Sequence, residues 1–385
     1  MHDFTQDLAA LGASSLLRTR RVVAGAQGPL LDVDGRTTLS FCSNDYLGLA
    51  NHPEIVAAGV RAADEYGMGA AASALISGHS MAHETLEHDL AAFTGMPRAL
   101  YFSCGYMANI GVIGALVGAG DAVFLDRLSH ASLIDGARLC GAQLRIFPHN
   151  NIERLEQVLA RSKARRKLVV TDAVFSMDGD LAPLAELAEL CGRHDAWLLV
   201  DDAHGFGVLG PQGRGSLAHA AVSAPHVICI GTLGKAAGVA GAFVAGDGGL
   251  IEWIMQRART YMFSTASPPL LAAATSASLA IIARDQWRRA RLTQLAAQLA
   301  QGLAGLPWQL LPSMTPIQPL IVGDNAGARA LAQRLREQAI WVPAICPPTV
   351  PKGTARLRIS LSAHHTPEHV AQLIGALQQA AEDLP

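Results

Sequence analysis

A lysine sits alone in the stretch G-T-L-G-K-A-A-G, residues 231–238, between two apolar runs, 227–230 and 239–244. Small residues flank Lys235 on both sides, so it has no polar face to occupy. Burial disfavours an ammonium and lowers its pKa. The neutral amine that results can form a Schiff base with an aldehyde. An aldehyde cofactor used in this way has three further needs. An acid must keep its ring nitrogen protonated, so that the ring works as an electron sink. A flat group must lie over the ring. Backbone N–H groups must hold its phosphate, best where a glycine opens a helix. Asp201 in D-D-A-H-G, His130 in D-R-L-S-H-A-S and the Gly105-Tyr106 pair in F-S-C-G-Y-M-A-N fit these needs. The aldehyde that asks for all of them is pyridoxal 5′-phosphate. A phosphate-loop reading of Lys235 fails, because G-x-x-x-x-G-K-[ST] requires Ser or Thr after the lysine and Ala236 follows it. Asp201 and Asp202 are adjacent acids at a strand end, costly there unless at least one faces a positive group.

These residues recur at one place in the chain's pattern. Apolar, β-rich runs at 99–102, 122–125, 144–147, 168–171, 197–200 and 227–230 are interleaved with helical stretches at 84–93, 107–117, 132–139, 152–162 and 181–194. Such alternation predicts an α/β fold with a mostly parallel, seven-stranded sheet covered on both faces. Ligands bind such sheets at the carboxyl ends of the strands. Gly105, His130, Ser176, the pair Asp201 and His204, and the pair Thr232 and Lys235 each follow one of these runs. Ahead of the sheet, 8–17 reads as a helix and Asp34-Gly35 as a hairpin turn. Beyond about residue 285 the texture changes, with helices expected at 286–303, 326–338 and 367–382 and strands at 317–322 and 357–361. The expected division is an N-terminal helical arm and hairpin over 1–45, a large cofactor-binding domain over 46–285, and a small α+β C-terminal domain over 286–385.

At 385 residues the chain exceeds one typical core. Its formal net charge of -2 offers no basic field for nucleic acid. The six cysteines form no C-x-x-C pair and no zinc spacing, so no metal is expected and the thiols read as reduced. No apolar run is long enough to span a membrane. The opening M-H-D-F-T-Q-D has no signal-peptide character, and the expected location is cytoplasmic.

In order along the chain, F-S-C-G-Y-M-A-N, D-R-L-S-H-A-S, F-S-M-D-G-D, D-D-A-H-G-F-G-V-L-G and G-T-L-G-K-A-A-G resemble the α-oxoamine synthases. That family has the aspartate-aminotransferase-type fold (fold type I), uses pyridoxal phosphate, and condenses an amino acid with an acyl thioester as carbon dioxide is lost. The resemblance runs from about residue 17 to about 373. I-Q-P-L-I-V-G-D-N and P-P-T-V-P-K-G-T-A-R-L-R-I-S-L are similar to the branch that joins L-alanine to a pimeloyl thioester, of coenzyme A or a carrier protein, in biotin biosynthesis.

The resemblance implies that Lys235 carries the cofactor and takes the Cα proton, and that Asp201 pairs with the ring nitrogen. His130 stacks on the ring, assists as an acid and touches substrate. His204 and Ser176 bond the phenolic oxygen, while Thr232 and the Gly105 and Tyr106 amides hold the phosphate. Arg18, Asn44 and Arg358 receive the substrate carboxylate, a task that suits a planar guanidinium, and Thr349 contacts substrate. A homodimer is implied, with 261–265 reaching the partner's phosphate. Two features depart from the family's usual pattern. Residues 67–80 are alanine-rich, and Cys346 stands where many relatives have arginine; both bear on the acyl donor.

Without the resemblance, other readings stay open. His130 could simply cap the helix after it. Arg358 could be an exposed strand residue. The rival activities are a glycine or serine synthase such as glycine C-acetyltransferase, an aminotransferase that ignores thioesters, and a cofactor-free binding protein.

Overall fold

A computed structural model describes residues 3–13, 17 and 19–382. Its centre is a seven-stranded sheet in the order Arg98–Phe102, Ala242–Gly246, Val227–Thr232, Trp197–Asp201, Lys167–Asp172, Ala122–Asp126 and Gln143–Phe147. Neighbouring strands pair in parallel from Val227–Thr232 to Gln143–Phe147. Ala242–Gly246 runs antiparallel to both of its neighbours. The apolar run after Lys235 is therefore the return arm of a hairpin, and Lys235 sits in its connection.

The strands are apolar on both faces because both are covered. Along Trp197–Asp201, Leu198 and Val200 enter one core and Leu199 the other, the period-2 alternation of a strand. Helices Met81–Thr94, Leu184–Arg193 and Pro269–Arg284 contribute Leu86, Leu187 and Ile282 to the first core. Helices Gly105–Leu116, Ala131–Leu139 and Gly248–Arg257 contribute Ile113, Leu133 and Ile254 to the second. Gly136 lets two of these helices meet closely. A Cβ there would lie 2.8 Å from Ile113 Cδ1 and 3.2 Å from the Asn109 carbonyl oxygen.

The C-terminal part carries a four-stranded antiparallel sheet, Gln309–Leu310, Ile317–Gly323, Ala355–Ser360 and Ala344–Ile345, beside helices Gln286–Gly302, Asn325–Glu337 and Pro367–Glu382. The expected hairpin turns at Asp34 and Gly35, both at positive φ, between Leu30–Val33 and Arg36–Ser40. Arg36–Ser40 also pairs in parallel with Ile340–Trp341, so the N-terminal hairpin is stitched to the last third of the chain. The first helix covers Thr5–Ala13 and starts ahead of the 8–17 read from the sequence, of which 14–16 lie outside the described residues. Helices Pro53–Tyr66, Gly248–Arg257 and Pro269–Arg284 were not foreseen.

Candidate active site

Parallel pairing sets Asp172 directly across from Asp201 at the carboxyl end of the sheet. Both are buried. Burial and the neighbouring Asp201 charge hold the Asp172 carboxyl well above its ordinary range, and it accepts the His130 backbone N–H at 2.9 Å. Asp201 accepts from the Ala203 backbone N–H at 3.0 Å and from Asn109 Nδ2 at 2.7 Å. Asp202 turns the other way. Its oxygens accept from the Ser216 backbone N–H at 2.8 Å and from the Ser216 hydroxyl, and burial pushes its pKa up to about 7. Asp201 and Asp172 line the cavity at the strand ends and Asp202 does not, and among the described residues no cation lies within ion-pair distance of Asp201.

Lys235 lies in a tight loop closed by a Gly238 N–H to Lys235 carbonyl bond of 2.8 Å. Gly238 is required there. Its φ is 69°, and a Cβ would come within 2.5 Å of the Leu49–Ala50 backbone. Burial, opposed in part by the Asp201 charge, lowers the Lys235 amine to about 8. Its Nζ is 2.8 Å from His204 Nε2, and His204 Nδ1 is 2.6 Å from the Tyr46 hydroxyl. Burial, then the positive charges of Lys235 and Arg358, hold His204 well below its ordinary pKa. A neutral imidazole thus touches an amine that titrates near working pH.

The cavity measures about 190 Å³ and is lined by Gly105, Tyr106, Asn109, His130, Asp201, His204, Thr232 and Lys235, among others. Gly105 opens helix Gly105–Leu116, whose first-turn N–H groups have no partner within the helix. A Cβ on Gly105 would stand 3.9 Å from Thr232 Cβ and Oγ1, so the missing side chain leaves a cradle between helix start and hydroxyl. His130 is exposed at the cavity's edge, which it lines, and it caps Ala131–Leu139 through Nδ1, as the capping reading expected. Desolvation on the side of the ring packed against the protein lowers its pKa, against the opposing Asp201 charge.

Arg358 is not an exposed strand residue. Ala355–Ser360 is buried along its whole length. The guanidinium donates to the Ser176 carbonyl at 2.6 Å, Ser360 Oγ at 2.7 Å, Asn44 Oδ1 at 3.3 Å and the Tyr46 hydroxyl at 3.4 Å. Asn44, Tyr46, His204 and Lys235 are thereby joined to it in one chain of contacts. Ser176 takes part through its backbone carbonyl, and it is not among the cavity-lining residues. Thr349 is exposed and lines a different cavity of about 960 Å³ with Cys346 and Leu17. Arg18 lies outside the described residues. Sequence reasoning missed Asn109, Tyr46, Ser132 and Asp172. Asn109 had a signal, a lone amide in the apolar helical run M-A-N-I-G-V-I-G-A-L; Tyr46 had none.

The residues fit pyridoxal phosphate on their own chemistry. A half-buried amine, a buried carboxylate with no ion-pair partner among the described residues, a flat ring and a cradle at a helix start all face one cavity.

Comparison with known proteins agrees with this geometry. Residues 36–377 match the family described as aminotransferase class I and II. The chain is 57% identical over 381 residues to 8-amino-7-oxononanoate synthase of Herminiimonas arsenicoxydans, covering 98% of each. It is 58% identical over 377 residues to that of Nitrosospira multiformis, covering 98% of this chain and 95% of the other. Among solved structures, Sphingomonas wittichii serine palmitoyltransferase is similar with a TM-score of 0.94 and 35% identity, over 99% of this chain and 98% of that one. The 8-amino-7-oxononanoate synthase of Francisella tularensis is similar with a TM-score of 0.78 and 31% identity, over 90% of this chain and 98% of that one.

Proposed function

From the premise that this chain belongs to the class I and II aminotransferases, and within them to the 8-amino-7-oxononanoate synthases, we propose how its residues divide the work. The reaction joins L-alanine to a pimeloyl thioester, releases thiol and carbon dioxide, and yields 8-amino-7-oxononanoate for biotin biosynthesis. Pyridoxal phosphate, when bound, supplies a ring that takes up the charge left as bonds at the alanine Cα break.

The rest falls to the protein. The Lys235 amine would hold the cofactor's aldehyde carbon until the alanine amine takes its place there, which frees Nζ as a neutral amine. Its lowered pKa lets Nζ then accept the Cα proton near neutral pH. Asp201 holds a proton at the ring nitrogen. Neutral His204 touches Nζ and fixes where it points, and it faces the phenolic oxygen; Ser176 supports the site through its carbonyl bond to Arg358. Thr232 and the Gly105 and Tyr106 amides hold the phosphate. Arg358 and Asn44 receive the alanine carboxylate, and Arg18 and Thr349 are proposed as contacts for the rest of the substrate. His130 covers the ring and faces the thioester carbonyl. The observation that carries this reading is the convergence of Lys235, Asp201 and His130 on one cavity.

The finer points are proposals of the same kind. The three-part division at residues 45 and 285 is kept. The protein works as a homodimer in the cytoplasm, and the thiol is coenzyme A or a carrier protein. Among the described residues, no helix is long and apolar enough to cross a membrane.

The test is thiol release from pimeloyl-CoA with L-alanine, run beside acetyl-CoA with glycine. Release in the first pair only, with 8-amino-7-oxononanoate as product, is expected. Release in the second pair only would transfer the chain to the glycine C-acetyltransferases. Lys235→Ala should lose the visible absorption of the lysine-bound cofactor and at least roughly 10²–10⁴ of turnover.

A further inference from the structure

His130 and Asp201 follow different strands, yet two residues outside the strand-end motifs join them. Asn109, buried in the first half of helix Gly105–Leu116, gives away both amide hydrogens, one to Asp201 Oδ2 at 2.7 Å and one to Ser132 Oγ at 2.8 Å. Its orientation is forced. A carboxylate only accepts, so a flipped amide would set oxygen against oxygen. The consequence is that Asn109 Oδ1 is buried without a partner. A buried orphan acceptor is costly, and this one follows from holding both donors in place.

Ser132 carries the link onward. Its Oγ accepts from Asn109 and lies 2.7 Å from His130 Nδ1. Its backbone N–H donates to the same Nδ1 at 3.3 Å. A backbone N–H cannot accept, so Nδ1 must present a lone pair, and the Ser132 hydroxyl hydrogen points there as well. A neutral imidazole whose Nδ1 accepts carries its proton on Nε2. Among the described residues Nε2 has no hydrogen-bond partner, and the ring borders the cavity.

We infer that Asn109 and Ser132 are positioning residues that lock His130 with its proton on Nε2, so that this N–H is presented to the oxygen of the thioester carbonyl. The inference deepens the proposed condensation and rests on it for the identity of that oxygen. It also specifies what His130 does. A neutral ring donates a hydrogen bond to the oxygen as negative charge builds there, and no proton need leave the ring. Asn109 ties this donor, through Ser132, to the acid Asp201, so both are linked to one helix, Gly105–Leu116.

The test is ¹⁵N NMR of the cofactor-loaded enzyme labelled at histidine, without substrate, with His130→Gln identifying the signal. Near neutral pH, His130 should show a pyridine-type Nδ1 and a pyrrole-type Nε2; the reverse pattern overturns the inference. Ser132→Ala should give mixed tautomers and lower kcat about tenfold, less than the roughly 10²–10⁴ that the whole acid or base group supplies, while KM for alanine stays within about twofold. Ser132→Thr, which keeps the hydroxyl, should restore both. An unchanged tautomer and kcat in Ser132→Ala would reduce the serine to a helix residue and overturn its role. The wild-type spectrum decides the tautomer even where a variant fails to fold. Because it is read without substrate, it stands apart from a wrong acyl donor, which would appear as missing product.

Discussion

Asp201 and Asp202 share a backbone and have opposite duties, because successive side chains at a strand end leave on opposite sides. Asp201 reaches the cavity. Asp202 reaches into the loop that follows and is held by both donors of Ser216. That loop closes tightly round it. A Cβ on Gly205 or Gly215 would come within 2.2 or 2.1 Å of an Asp202 oxygen. Asp202→Asn turns an NH₂ toward a donor and should cost about 1–3 kcal/mol, seen as a lower melting temperature, with cofactor binding retained. Asp201→Asn meets a similar cost against Asn109 or the Ala203 N–H, and it alone of the two should reduce turnover, by roughly 10²-fold or more. Melting curves and turnover of both variants check this, and equal losses of both kinds in the two would refute the division. The sequence made this pair conspicuous and expected a positive partner for at least one acid. Neither has an ion-pair partner among the described residues; Asp202 is satisfied by neutral donors instead. Residues such as Lys235 and His130 could be read because a cofactor's chemistry restricts residue type at strand ends. Asn109 and Tyr46 could not be placed, because their partners Asp201 and His204 lie 92 and 158 positions away, and no local spacing encodes contact at that range.

At the scale of elements, the loops that carry His130 and Ser176 are clamped from behind by His149, just past strand Gln143–Phe147. Its Nδ1 lies 3.1 Å from Asp126 Oδ1, at the end of Ala122–Asp126, and its Nε2 lies 2.8 Å from Asp180 Oδ2. The ring stands edge-on to Phe175, with centroids 4.3 Å apart. Burial alone would lower its pKa, but the bonds and charges of Asp126 and Asp180 outweigh it and raise the imidazole to about 10. The folded pKa lies above the unfolded value near 6.5, so the stability this group supplies is fully present below that value and drains away as pH rises toward 10. The urea midpoint of the wild type should therefore fall across that window more steeply than that of His149→Gln. Parallel curves would mean that the clamp carries no charge. Strand and helix alternation was legible here to within a few residues, because buried strands and amphipathic helices have distinct periods. The direction of Ala242–Gly246 was not, since an unbroken apolar run reads the same either way. Helix Pro269–Arg284 escaped for a related reason. It is rich in Ala and Ser and packs against both Pro53–Tyr66 and Met81–Thr94, which leaves it no strong polar stripe.

Across the whole molecule, the site draws on three distant stretches of chain. Asn44 and Tyr46 follow the N-terminal hairpin, Lys235 and His204 belong to the large sheet, and Arg358 comes from the C-terminal sheet. Arg356, on that same C-terminal strand, adds an ion pair of 2.6 Å to Asp178, on the loop that carries Ser176. Among the described residues, several large apolar side chains near residues 68–81 and 263 are nonetheless exposed. The stretches around 72–73 and 265–266 are joined by a Ser73–Thr265 bridge and by a 2.9 Å bond from the Ala266 N–H to the Ala72 carbonyl. Flanking them, Met68, Ile76, Met81 and Phe263 are 67–81% exposed. Monomeric proteins rarely leave a contiguous apolar patch of more than a few hundred Å² in water, and a two-fold pairing would cover the same patch on both copies at once. Light scattering should thus return twice the chain mass. Phe263→Asp, which places a charge in that patch, should shift the mass toward a single chain. If 261–265 also reaches the partner's phosphate, cofactor occupancy should fall with it, and the loss should be recovered at high protein concentration. A wild type that scatters as one chain while turning over fully would overturn the dimer. A dissociated variant that keeps its cofactor would confine each site to its own chain and leave the patch a purely structural contact.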